Sequence, residues 1–97
     1  MSEQDKQLFE FFAGYFHQDW HLDDQGWEDV ARRFVAESGE NAASLVAEHI
    51  TRLADREESD AKLVEAVDSF GCYYWPGSAA EMRTWLRGLS AALKVPR

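Results

Sequence analysis

Apolar residues recur along this chain with a helical period. Leu8, Phe11, Phe12, Tyr15 and Phe16 fill positions i, i+3, i+4, i+7 and i+8, the spacing of one helix face. Trp27, Val30, Ala31, Phe34 and Val35 repeat the pattern, and Gly39 is the expected stop. A third segment carries Ala42, Leu45, Val46, His49, Ile50 and Leu53. Ser59 is placed to cap a fourth, with Leu63, Val64, Val67 and Phe70 on its stripe and Gly71 at its end. The fifth opens with Ser78-Ala79-Ala80-Glu81, a capping-box pattern in which serine and glutamate each satisfy an orphan backbone N–H. Met82, Trp85, Leu86, Leu89 and Leu93 follow, and Pro96 sits where no further helical turn is expected.

No segment sustains the two-residue alternation of a half-buried strand. Cys72-Tyr73-Tyr74-Trp75 comes nearest, and Pro76-Gly77 interrupts it at once. The expected architecture is all-α, a small bundle of about five helices in one domain spanning residues 1–97. Two connections stand apart. Residues 17–26 form a polar stretch longer than a minimal helix turn, and residues 71–77 are aromatic and stiff.

Length and composition narrow this picture. Ninety-seven residues are too few for a (β/α)8 barrel or a full dinucleotide-binding domain. With 45% hydrophobic and 13% aromatic residues the chain has the material for one modest core. The N-terminus lacks the pattern of a signal peptide, and no apolar run approaches the ~20 residues of a membrane span. The single cysteine, Cys72, suits a reducing compartment, so a cytoplasmic location is expected.

Charge changes the picture most. The net charge of −8 divides unevenly: residues 1–60 hold 15 acidic and 5 basic side chains (−10), and residues 61–97 hold 3 and 5 (+2). Such a chain repels phosphate backbones and anionic membrane surfaces, which argues against direct contact with either. A basic partner suits it, because complementary potentials speed encounter and fix register. A solvated, self-repelling surface is the plain alternative.

Candidate chemistry is sparse. His17, Asp19, His21, Asp23 and Asp24 hold ligand-type side chains, and two histidines four apart on a helix can share a cation. That stretch, however, departs from the helical pattern that ends at Phe16. Cys72 with His17, His21 or His49 would make a thiol nucleophile and base, yet no activating motif surrounds it, and a small buried hydrophobe is the simpler account. His49 lies on an apolar stripe, as a hydrogen-bonded histidine at the core edge would. No phosphate-binding glycine loop, P-loop or nucleophile elbow occurs, and no cofactor is implied. The expectation is a protein that is not an enzyme. Trp20 and Trp27 flank the acidic connection: Trp27 starts an apolar stripe, whereas Trp20 suits either the core or a partner's surface.

The run Leu8-Phe9-Glu10-Phe11-Phe12-Ala13-Gly14-Tyr15-Phe16-His17-Gln18-Asp19-Trp20 resembles the opening of a family of contact-dependent growth inhibition immunity proteins. Its most specific element is Tyr15-Phe16-His17-Gln18-Asp19-Trp20. The likeness continues through Gly26-Trp27-Glu28-Asp29-Val30, Gly71-Cys72-Tyr73-Tyr74-Trp75-Pro76 and Trp85-Leu86, while residues 38–62 match only as amphipathic helix. The resemblance implies a bacterial immunity protein that binds a neighbour's C-terminal toxin domain, often a basic nuclease, and neutralises it in the cytoplasm. Partners differ between family members, so a shared signature is expected to be structural: Tyr15, Phe16, His17, Gln18, Asp19 and Trp20. Toxin contacts are then expected among less patterned acids, Asp23, Asp24, Glu28, Asp29, Asp55, Glu57, Glu58 and Asp60, with Trp20 beside them. Two other readings stay open, a small metal-dependent enzyme using His17, Asp19 and His21, and a general helical adaptor.

Overall fold

The computed structural model describes residues 2–23 and 25–94, and Pro96 lies outside them. Among the described residues there are six helices and no strand: α1 (Glu3–Tyr15), α2 (Trp20–Asp23), α3 (Trp27–Ser38), α4 (Glu40–Arg56), α5 (Asp60–Ser69) and α6 (Ala79–Leu93). The all-α bundle is as the periodicity predicts. The added element is α2, a single turn inside the stretch expected to be a polar connection. Its four residues are too few to display a period. Packing supports it instead, since the Trp20 ring meets Phe16 at 5.8 Å and Tyr74 at 5.6 Å.

Serines start three of the helices. Ser2 Oγ accepts the Asp5 N–H at 3.1 Å, Ser59 Oγ that of Lys62 at 3.3 Å, and Ser78 Oγ that of Glu81 at 3.2 Å. Each satisfies one of the donors a helix N-terminus leaves orphaned. At Ser78 only the serine half of the expected box forms among the described residues, and the Glu81 carboxylate lies over Gly77.

Two glycines make turns that other residues resist. Gly39, at φ +93°, donates to Val35 O at 2.9 Å and accepts from the Ala43 N–H at 3.0 Å. One residue thereby closes α3 and opens α4. Gly71, at φ +83°, ends the turn after α5, and a Cβ there would lie 3.0 Å from that of Ala13. The left-handed backbone and the close approach of α1 both demand glycine.

α6 organises the interior. It packs most extensively against α4 and also meets α3 and α5, while α1 lies on α4. The buried side chains form one continuous core that includes Leu8, Phe12, Ile50, Leu53, Leu63 and Leu86. Each fully buried side chain of this kind contributes about 1.5–3 kcal/mol. Trp85 is the aromatic centre, with ring centroids 4.4 Å from Tyr74, 5.3 Å from Phe16, and 6.4 Å from both Phe12 and Trp27. That cluster joins α1, α3 and α6 to the irregular segment 72–77.

Candidate functional site

The hexapeptide Tyr15–Trp20 lies where α1 ends. Tyr15 donates its hydroxyl to Glu37 Oε1 at 2.5 Å, and the Arg33 guanidinium sits 4.7 Å from its ring centroid. Partial burial first, then this acidic partner, raises the Tyr15 pKa above the ordinary phenol value. Phe16 is fully buried, and its carbonyl accepts the Tyr73 N–H at 2.8 Å. His17 turns its Nδ1 back to the Asp19 N–H at 3.1 Å, and Trp20 rests on Phe16 and Tyr74. Gln18 and Asp19 are exposed. The segment thus fastens α1 to α3 through Tyr15 and to residues 73–74 through Phe16 and Trp20.

The acids expected to meet a partner fall into two groups. Glu28 and Asp29 begin α3 beside Trp27, whose ring meets Trp85 and approaches Gly88 on α6. Asp55, Glu57, Glu58 and Asp60 surround the α4–α5 junction. There Asp55 accepts from Arg87 at 2.8 Å, and Asp60 lies 3.3 Å from Arg83. Arg83 and Arg87, one turn apart, share a face of α6, whereas Trp85 and Gly88 occupy the opposite side. The two groups therefore border different flanks of α6. Asp24 and the side chain of Asp23 lie outside the described residues.

Several of these carboxylates already have partners. Asp29 pairs with Arg32, and Glu57 lies 3.5 Å from Arg56, which also reaches Asp5 at 3.6 Å. Glu28 and Glu58 form no ion pair among the described residues. Arg83 does more than neutralise Asp60, because its guanidinium also donates to the carbonyls of Ala54 and, at 2.8 Å, Glu57. It caps the end of α4, and no sequence pattern marks that role.

The aromatic connection alternates buried and exposed side chains. Cys72 is buried and Tyr74 half-buried, while Tyr73 and Trp75 are 63% and 53% exposed. This is the in-out alternation of extended backbone. A shallow hollow of about 390 Å³ lies here, bounded by Asp68, Gly71 and residues 72–75. Burial first, then the charges of Glu28 and Glu81, raises the Tyr74 pKa. Both carboxylates therefore lie within electrostatic reach of the Tyr74 phenol.

The other chemical candidates take structural places. Burial pushes the Cys72 thiol up to about 12, and its Sγ lies 3.9 Å from Tyr74 O. At neutral pH it is a thiol, without the thiolate a nucleophile needs. His49 is buried and its Nε2 lies 2.7 Å from Gln7 Oε1, as expected of a core-edge histidine. Among the described residues no group of three or more His, Cys, Asp or Glu side chains converges to hold a metal ion, and no helix is long and apolar enough to cross a membrane.

No curated protein and no solved structure matches the chain. A family model described as CdiI immunity protein matches residues 5–93. That span takes in the Tyr15–Trp20 motif, the aromatic connection and all of the helices α2 to α6. The chain belongs to the CdiI immunity protein family, whose members confer immunity in contact-dependent growth inhibition.

Proposed function

We propose that this protein neutralises a cognate toxin domain, a basic nuclease, by stoichiometric binding in the cytoplasm and without catalysis. Family membership over residues 5–93 carries the immunity role. The distribution of charge supports a basic partner. Arg32, Arg33, Arg56, Arg83 and Arg87 are engaged by the chain's own carboxylates, and acid still exceeds base by eight charges over the chain. A nuclease must hold phosphate, and the basic cleft that does so is complementary to such a surface. The acids available for that contact include Glu28 and Glu58, with Asp23 and Asp24 between Trp20 and Trp27. The Tyr15–Trp20 motif positions this surface instead of reading the toxin, because Tyr15, Phe16, His17 and Trp20 are engaged in internal contacts.

The test is co-purification with the toxin domain encoded beside this chain's gene. A 1:1 complex is expected, with nuclease activity lost at equimolar ratio and affinity falling as salt rises. Absence of binding even at low ionic strength would refute the reading.

A further inference from the structure

We propose that Tyr73 and Trp75, set out together on the 72–75 segment beside Asp68, form the seat for a cationic side chain of the toxin domain. The inference rests on the toxin-binding reading and assigns it a surface other than the α4–α5 acids.

Four observations carry it. First, the two rings are exposed although the chain has a core that accommodates its other tryptophans at least in part. Exposed aromatic side chains of this size are the anchors that most often dominate a protein interface. Second, the segment is held in place before any partner arrives. The Tyr73 N–H is bonded to Phe16 O at 2.8 Å, Tyr74 stacks on Trp85 at 4.4 Å, and Pro76 restricts Trp75 to extended backbone. With Cys72 and Tyr74 turned inward, Tyr73 and Trp75 project on the same side, roughly 7 Å apart along the chain. Little ordering entropy is then lost on binding.

Third, the surroundings are acidic. Asp68 borders the same hollow, and no Lys or Arg is among the hollow's bounding residues. A guanidinium or ammonium gains from ring faces and carboxylates together, which is the chemistry this surface offers. Fourth, a second copy of this chain fits poorly, because it would bring its own Asp68 and a charge of −8 against their like.

The experiment uses the full chain and the catalytically inactive toxin domain encoded beside it, with affinity measured by calorimetry and folding by circular dichroism. Y73A/W75A is expected to keep its helicity and to raise Kd by about 30-fold or more. Asp68→Lys is expected to weaken binding on the order of 10-fold, chiefly through a slower kon. Trp75→Phe, which retains a ring, is expected to recover most of the loss seen in Trp75→Ala. Should Y73A/W75A not fold, the Asp68 and Trp75 single variants decide alone.

Wild-type protein that binds no toxin refutes the immunity-by-binding reading and this proposal with it. Wild-type binding with Y73A/W75A within about 3-fold of it refutes only the proposal. So does E57Q/E58Q weakening binding more than Y73A/W75A, which would move the seat to the α4–α5 corner. Light scattering covers the remaining occupant: a wild-type dimer made monomeric by Y73A/W75A with toxin affinity intact would assign the rings to self-association and overturn the proposal.

Discussion

Arg83 leaves α6 and reaches the carbonyls of Ala54 and Glu57 and the carboxylate of Asp60. With its side chain only 23% exposed, it supplies donors where α4 ends and the chain turns into α5. A planar guanidinium can serve three acceptors in one fork, which a lysine ammonium cannot do in the same geometry. Bonds from a charged donor are worth about 1.5–3 kcal/mol each, whereas the half-exposed Asp60 pair adds less than about 1 kcal/mol. Part of this is recovered when water reaches the freed carbonyls. Arg83→Ala should therefore lower unfolding stability by about 2–3 kcal/mol, and Arg83→Lys by somewhat less, both read from urea midpoints. A loss no larger than for Arg87→Ala, whose partner Asp55 is exposed, would show that the carbonyl caps contribute little.

At the scale of elements, α1 meets α4 through an apolar seam that holds a polar tie, besides the Arg56–Asp5 pair. His49 Nε2–H donates to Gln7 Oε1 at 2.7 Å, leaving a buried Nδ1 with no partner among the described residues. Burial, and then the nearby Arg52, hold the His49 pKa below its ordinary 6.5, with Glu48 opposing them. Below that ordinary value the unfolded chain takes up a proton that the folded chain resists. Stability is then complete above about pH 6.5 and is lost progressively as pH falls toward the folded value. Between about pH 7.5 and about pH 5.5 the wild-type urea midpoint should fall, and in His49→Gln it should fall less. Parallel slopes would remove His49 as the cause.

Elements also differ in how far the sequence reveals them. Serine caps at 59 and 78, glycine stops at 39 and 71 and the 3.6-residue stripes were readable because each acts within a turn or two of itself. The buried stripe of α6, Met82 through Leu93, is the one the sequence predicts. α2 was not readable, since one turn has no period. The parity of residues 72–75 was not readable either. Alternation over four residues leaves open which pair faces inward, and the choice is made by Phe16 O and Trp85, both distant in sequence. The division of the acids between two flanks of α6 likewise depends on how α3 and α4 are placed around that helix.

Across the whole molecule, acid outnumbers base, and ion pairing does not remove the surplus. Eighteen acidic side chains meet ten basic ones, and the arginines of α3, α4 and α6 that pair do so with this chain's own carboxylates. What remains is a net negative field that acts in opposite senses on folding and on recognition. Toward the fold it is self-repulsion, which salt relieves. Toward a basic toxin it is attraction, which salt weakens. Raising ionic strength from about 10 mM to about 0.15 M shortens the screening length from ~30 Å to ~8 Å. Over that range the thermal midpoint of the free protein should rise while its affinity for the toxin domain falls. The opposed signs separate screening from unfolding as the reason for weaker binding at high salt. If the midpoint instead falls with the affinity, the internal ion pairs outweigh the surplus acid, and the long-range field is not what draws the toxin in.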